Sequence, residues 1–217
     1  LITVYKKTVT VKANWKTWLD AFMEVYHAPT IHKDTVNILL DGNAMAAGLL
    51  KNGHSRMVTP KKMNLDGGFL GAEDSDYVPY IETCDKIHAQ TNVAYGMFPN
   101  FITPTDTSGY PAILFWPKGL KETEFEWTQL APNWSGDEKP DYWNEQEVSF
   151  DSIMDEDFQN LEPMQRSHDS GVFESMPLNY QERRIYYYHQ VIDDWIGRDN
   201  LPENIQVPNV LDPFIEA

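Results

Sequence analysis

Two histidines and an acid ahead of them are the residues best placed to do chemistry. His27 and His32 stand five apart, and Glu24 lies three residues before His27. Imidazole suits divalent iron, zinc and copper. Histidines four apart on an unbroken helix can share an ion, whereas a fifth residue rotates away. Pro29 offers a way round this, because it disfavours helical geometry at Ala28 and bends the chain, so that His32 can turn back towards His27. Two imidazoles leave most of a coordination shell open. A carboxylate from elsewhere would complete the two-histidine, one-carboxylate face used by non-haem iron oxygenases. By itself the pair proves little, since most histidines beside aromatic residues are ordinary packing or surface groups.

The element that must present these groups is a helix. Trp15, Trp18, Leu19, Phe22 and Tyr26 follow helical spacing, and the pattern predicts a helix from about 14 to 28. On that helix Asp20, Glu24 and His27 share one face, a polar stripe beside an aromatic one.

Asn14-Trp15-Lys16, Phe22, Glu24, Tyr26, His27 and His32 match in one register the catalytic domain of Rieske-type ring-hydroxylating oxygenase alpha subunits, which the segment therefore resembles. A second segment fits the same family. Asp155-Glu156-Asp157 followed by Asn160, Glu162 and Gln165 resembles its distant acidic stretch, and Tyr95-Gly96-Met97-Phe98-Pro99-Asn100 resembles one of its strands. The resemblance implies that His27, His32 and Asp157 hold a mononuclear Fe(II). Read without it, Asp157 is an acid in the first turn of a helix, stabilised by the macrodipole. The resemblance also implies that Glu24 bridges the iron histidine to a Rieske cluster on an adjacent subunit, with Asp20 extending the network. Two departures stand out. The family often carries Asn where Asp20 stands, and Pro163 falls inside the expected ligand helix, where a kink or a new turn is expected.

The activity implied is O2-dependent hydroxylation of an apolar or aromatic small molecule. Ala21, Val25, Met97 and Phe115 are candidates for the pocket lining. Monohydroxylation, cis-dihydroxylation and demethylation all fit. The rival reading is a helix-grip domain that encloses a hydrophobic ligand without chemistry. A [2Fe-2S] Rieske cluster takes two cysteines and two histidines, and Cys84 is the one cysteine in the sequence. Residues 1–217 are thus expected to be the mononuclear-iron catalytic domain of a larger subunit, inactive without its Rieske domain. A ferredoxin or reductase would supply electrons, and the family implies a homotrimer.

Composition narrows the alternatives. With 33 acidic and 17 basic residues, the net charge of −16 argues against nucleic acid and anionic membrane as partners. No stretch reads as a membrane span, and a single cysteine suits a reducing cytoplasm. The 217 residues suffice for one domain with an internal cavity.

Along the chain, strands are expected at 3–13, 54–58, 93–102, 111–117 and 122–130, and helices at 78–91, 152–168 and 179–196. Residues 59–76 read as an exposed loop and 132–147 as a polar surface crossing. The proline-bearing tail from Asn200 is expected to wrap the surface or a neighbouring subunit. Strands in the middle with helices at both ends imply α+β, an antiparallel sheet holding long helices on one face. This is also the helix-grip fold that the resemblance implies.

Overall fold

A computed structural model of the chain describes residues 1–63, 81, 83–136, 138–172 and 175–216. The elements in order are β1 (Ile2–Val11), α1 (Trp15–Phe22), α2 (Val36–Leu39), β2 (Ala46–Leu50), β3 (Ser55–Pro60), α3 (Lys86–Gln90), β4 (Thr91–Met97), β5 (Phe101–Thr105), β6 (Tyr110–Gly119), β7 (Glu122–Ala131), α4 (Asp141–Asp169), α5 (Arg183–Ile196) and β8 (Ile215–Glu216). The strands form one sheet in the order β1-β7-β6-β5-β4-β3-β2-β8, antiparallel except for the short parallel pair β2–β8. The fold is the expected α+β helix-grip arrangement. No helix among the described residues is long and apolar enough to cross a membrane.

The strands alternate as half-buried strands do. Ile102, Ile113, Phe115, Phe125 and Trp127 turn to one face and are fully buried. Trp18 and Leu19 of α1, Met154 and Leu161 of α4, and Ile185 and Tyr188 of α5 close over them in one core. Trp18 is its hub, 4.9 Å from Phe125 and 5.3 Å from Phe158 between ring centroids. Helix α5 is pinned to the sheet by Tyr187 donating to the Leu50 carbonyl at 2.8 Å and Tyr188 donating to the Pro99 carbonyl at 2.7 Å. Gly197, at φ 86°, ends it as expected of a C-cap glycine.

Several expected boundaries move, each for a physical reason. Helix α1 stops at Phe22, not near 28. Met23 N–H bonds back to the Asp20 carbonyl at 3.0 Å, tightening the last turn, and the Met23 carbonyl accepts from buried Arg184 at 3.1 Å. The His27 N–H goes instead to the Glu24 side chain at 3.1 Å, a side-chain competitor of the kind that interrupts helices. Glu24 and His27 therefore lie on a turn, not on a helix face.

The expected strand 93–102 is two strands, β4 and β5, joined by a turn at Phe98-Pro99-Asn100 with a cis Phe98–Pro99 bond. The chain reverses there, so that Met97 and Phe101 stand opposite each other at the start of the β4–β5 ladder. Helix α4 starts at Asp141, inside the expected surface crossing, because Tyr142 and Trp143 bury against Ala131, Val4 and Trp134. It also runs unbroken past Pro163. Its end is tied down by the Gln165 side chain, which accepts from Asn14 N–H at 2.7 Å and donates to Asp169 at 3.0 Å, and by a Lys121–Asp169 ion pair at 2.8 Å. The tail returns to the sheet edge as β8, beside the pair Arg56–Glu216. Of the expected helix 78–91, Lys86–Gln90 is helical; 78–80 and 82 lie outside the described residues, as does most of the expected loop 59–76, whose first two residues belong to β3.

Arg184 is fully buried and bonds Ser55 Oγ at 3.0 Å, the Met23 carbonyl and the Ala94 carbonyl at 3.3 Å. Burial pushes its pKa down to about 9, against the opposing pull of Glu24. Replacing Arg184 by Met leaves three buried acceptors unpaired. Urea denaturation should show a loss of about 3–5 kcal/mol of stability, from roughly 1–3 kcal/mol per orphaned group less what relaxation recovers. A loss below about 1 kcal/mol would mean that these bonds do not hold the end of α1.

Candidate metal centre

The turn after α1 brings the two histidines together. His32 N–H donates to the Ala28 carbonyl at 3.0 Å, and Ile31 N–H and the Thr30 hydroxyl both bond the His27 carbonyl. This compact turn around Pro29 sets the imidazole centroids 5.0 Å apart. Each ring is then fixed from behind by a carboxylate. His27 Nδ1 meets Glu24 Oε1, and His32 Nδ1 meets Glu156 Oε2 at 2.7 Å, where the Thr35 hydroxyl also donates at 2.7 Å. With Nδ1–H assigned as the donor in both rings, each Nε2 is left as a lone pair.

Both Nε2 atoms face Asp157. Its Oδ1 lies 3.2 Å from His32 Nε2 and 3.8 Å from His27 Nε2. The donor atoms of His27, His32 and Asp157 all fall within 4.8 Å of one another. Neighbouring ligands of an octahedral ion bound at about 2.1 Å stand about 3 Å apart, so modest side-chain adjustment closes the set. Asp157 is 8 % exposed and lies sixteen residues into α4, four turns from its start. The macrodipole of a first turn therefore does not account for it. His32 titrates above an ordinary imidazole. Burial, the largest influence, opposes this, but the hydrogen bonds and charges of Asp157 and Glu156 outweigh it. A field that favours a proton on this ring also favours a divalent cation beside it. Three acids around two imidazoles thus fit a ferrous ion, held by two nitrogens and one oxygen.

Glu156 and Thr35 were not legible as site residues. The signal for Glu156 was its position next to Asp157, which puts it on an adjoining helix face. Asp20 is on α1 and bonds His189 Nε2 at 3.0 Å. It shares a groove with Glu24, running behind His27 and Asp157. His168 sits eleven residues beyond Asp157 on the same unbroken helix, about 16 Å away at the helical rise.

A cavity of about 300 Å³ opens beside the three donors, and Ala21 and Val25 are among the residues that line it. Met97 and Phe115 do not belong to its wall. Met97 points to the other face of β4 and is 47 % exposed, and Phe115 is sealed in the core behind Phe22, 5.5 Å away between ring centroids. Asn100, in the turn between β4 and β5, is used structurally, its Nδ2 donating to the Phe115 carbonyl at 3.1 Å.

The donor set resembles the two-histidine, one-carboxylate face of mononuclear non-haem iron sites. The chain belongs to the ring-hydroxylating alpha subunit family, whose catalytic-domain pattern matches residues 1–198. Among solved structures, the quaternary ammonium Rieske monooxygenase CntA with inhibitor MMV12 matches at TM-score 0.68 and 13 % identity, over 91 % of this chain and 50 % of that one. Naphthalene 1,2-dioxygenase from Rhodococcus sp. bound to indole gives 0.60 and 15 %, over 89 % and 55 %. Dicamba monooxygenase bound to 3,6-dichlorosalicylic acid gives 0.53 and 14 %, over 89 % and 60 %. At these identities the likeness concerns the fold. The chain spans only about half the length of the first of these structures. A comparison with curated protein sequences gave no match.

Two measurements test this geometry. His189 titrates above 6.5, because the Asp20 charge and hydrogen bond overcome the opposing effect of burial, with Lys16 and Asp193 contributing smaller, opposite effects. A pKa raised on folding stabilises fully below the unfolded value near 6.5 and is lost as pH rises through the folded value. The thermal-stability gap between wild type and Asp20→Asn should therefore be widest in mild acid and close at alkaline pH. A gap that grows with pH would rule out the pair. For the clamp on His32, Glu156→Ala should weaken iron affinity about 10–100-fold, as loss of a ligand-orienting carboxylate does elsewhere. Titration with Fe(II) under anaerobic conditions reads this directly, and unchanged affinity would remove Glu156 from the site.

Proposed function

We propose that residues 1–217 form the mononuclear-iron catalytic domain of a larger oxygenase subunit, hydroxylating an apolar or aromatic small molecule with dioxygen. The observation that carries this reading is the pair of carboxylate clamps. Glu24 and Glu156 each hold an Nδ1, so that both Nε2 lone pairs converge on Asp157. A domain that merely encloses a ligand has no use for such a pair.

On this reading His27, His32 and Asp157 hold the metal, and Glu24 and Glu156 fix the tautomer and direction of the imidazoles. Ferrous iron, when bound, supplies the activation of dioxygen that hydroxylation requires. The largely apolar cavity excludes water and orients the substrate beside the ligands. The electrons come from a [2Fe-2S] Rieske cluster, which a sequence with one cysteine cannot hold. The cluster belongs to an adjacent subunit of a homotrimer, served by a ferredoxin or reductase. Glu24 is the bridge to it: its carboxylate touches His27 and also lines the groove behind the metal centre, with Asp20 beside it.

Metal analysis of purified, folded variants is the first test. His27→Ala and Asp157→Ala should lose iron, whereas His168→Ala should keep it. Equal iron in all three would misplace the centre and favour simple ligand binding. Glu24→Gln separates the bridge from the ligands. The amide oxygen can still accept the Nδ1 proton, so iron should be retained, while turnover driven by a Rieske partner in the full-length oxygenase should fall by about 100-fold or more, a positioned proton- and charge-handling group being worth about 10²–10⁴. Undiminished coupled turnover would leave Glu24 as an orienting group alone.

A further inference from the structure

The cavity beside the metal centre changes character along its length. Next to the ligands, Val25 and Ala28 pack on Met57 and Ala94, and this end is apolar. Two residues further along β3, about 7 Å at the strand rise, the wall is polar. Thr59 stands opposite Asn92 in the β3–β4 ladder, Asp106 lies just past the end of β5, and all three line the cavity. Thr59 is 1 % exposed, and its hydroxyl has no hydrogen-bond partner among the described residues. A buried hydroxyl left unpaired is costly and uncommon, so this one is available to a ligand.

The charges of the wall are already spoken for. Glu24 pairs with His27, Asp157 faces both histidines, and Asp106 pairs with Lys61 at 3.0 Å. No lysine or arginine is among the described residues lining the cavity. At the polar end, away from the metal ligands, an anionic group would meet Asp106 and, among the described residues, no lysine or arginine. A cationic one would meet only carboxylates that already have partners. Burying either charge unpaired is unfavourable.

We propose that the cavity selects an uncharged, largely apolar molecule bearing one hydroxyl or carbonyl oxygen, with that oxygen on Thr59 and the apolar end turned to the metal ligands. The proposal rests on the preceding reading of this cavity as the substrate site, and deepens it. Thr59 is then a specificity-determining residue. The carbon presented for reaction is one remote from the substrate's own oxygen.

Four probes sharing one ring system test this: 2-naphthol, naphthalene, 2-naphthoate and 2-naphthyltrimethylammonium. Their dissociation constants are measured by equilibrium dialysis against the full chain, with iron content determined on the same samples. 2-Naphthol should bind about tenfold more tightly than naphthalene, the worth of one good hydrogen bond, and more tightly than either ion. Thr59→Val, nearly the same shape, should remove the preference and leave naphthalene unchanged, whereas Thr59→Ser should keep it. An ion that binds as well as 2-naphthol, an undiminished preference in Thr59→Val, or no binding of any probe would overturn the proposal. The two readings fail separately. Stoichiometric iron without a preference for 2-naphthol sinks this inference alone, and the preference in a chain that takes up no iron sinks the oxygenase reading alone.

Discussion

The hydrogen bond from Arg184 to the Met23 carbonyl governs how the site is built. It ties the first residue past α1 to the buried side of α5. With Met23 held there, the chain leaves the helix, and the Glu24 carboxylate gathers the amides of Tyr26 and His27. The resulting turn carries His27 with its Nδ1 already against the same carboxylate. Had α1 run on to residue 28, Glu24 and His27 would be separate points on a helix surface and His32 would rotate away from both. A buried guanidinium is a costly way to end a helix. Three well-formed acceptors around Arg184 offset that cost and fix the backbone on which one histidine depends.

The second constraint is electrostatic. Glu24, Glu156 and Asp157 surround two imidazoles inside a chain of net charge −16. Without a counter-charge such a group repels itself, and the upward shift of His32 is the protein's internal response. A divalent cation relieves the same strain more fully, because it meets Asp157 directly and polarises both rings towards their clamps. The acids that orient the ligands thereby also set the demand for the ion.

Much of this was legible in the sequence, and the failures share a cause. The strands β3, β6 and β7, helix α5 with its terminal Gly197, and the triad His27, His32 and Asp157 could be read from periodicity, turn residues and a family register. What could not be read depends on partners distant in sequence. The end of α1 is tied down by a residue 161 positions away. The start of α4 is decided by Val4 and Ala131 burying Tyr142 and Trp143. Glu156 acquires its role only when Thr35 and His32 fold against it. Met97 and Phe115 failed as lining residues for a simpler reason: local sequence gave their hydrophobicity, but the strand faces and the position of Phe22 decide which surface they reach.

Helix α4 shows why one element can serve site, cavity and core together. Its inward stripe runs from Trp143 through Gln146, Phe150, Ile153 and Met154 to Asp157, and on to Leu161 and Gln165. The first part roofs the cavity, Asp157 meets the histidines, and Leu161 enters the core under Trp18. Gln165 closes the circuit by accepting from Asn14 N–H, at the residue that caps α1. A ligand at the end of a loop would follow the loop's motions. Asp157 is instead held on both sides by packing, on an element anchored to the same helix whose end launches His27. The Asp157 carboxylate thus keeps its place opposite the two imidazoles through a packed helix, which is what a preorganised candidate metal face requires.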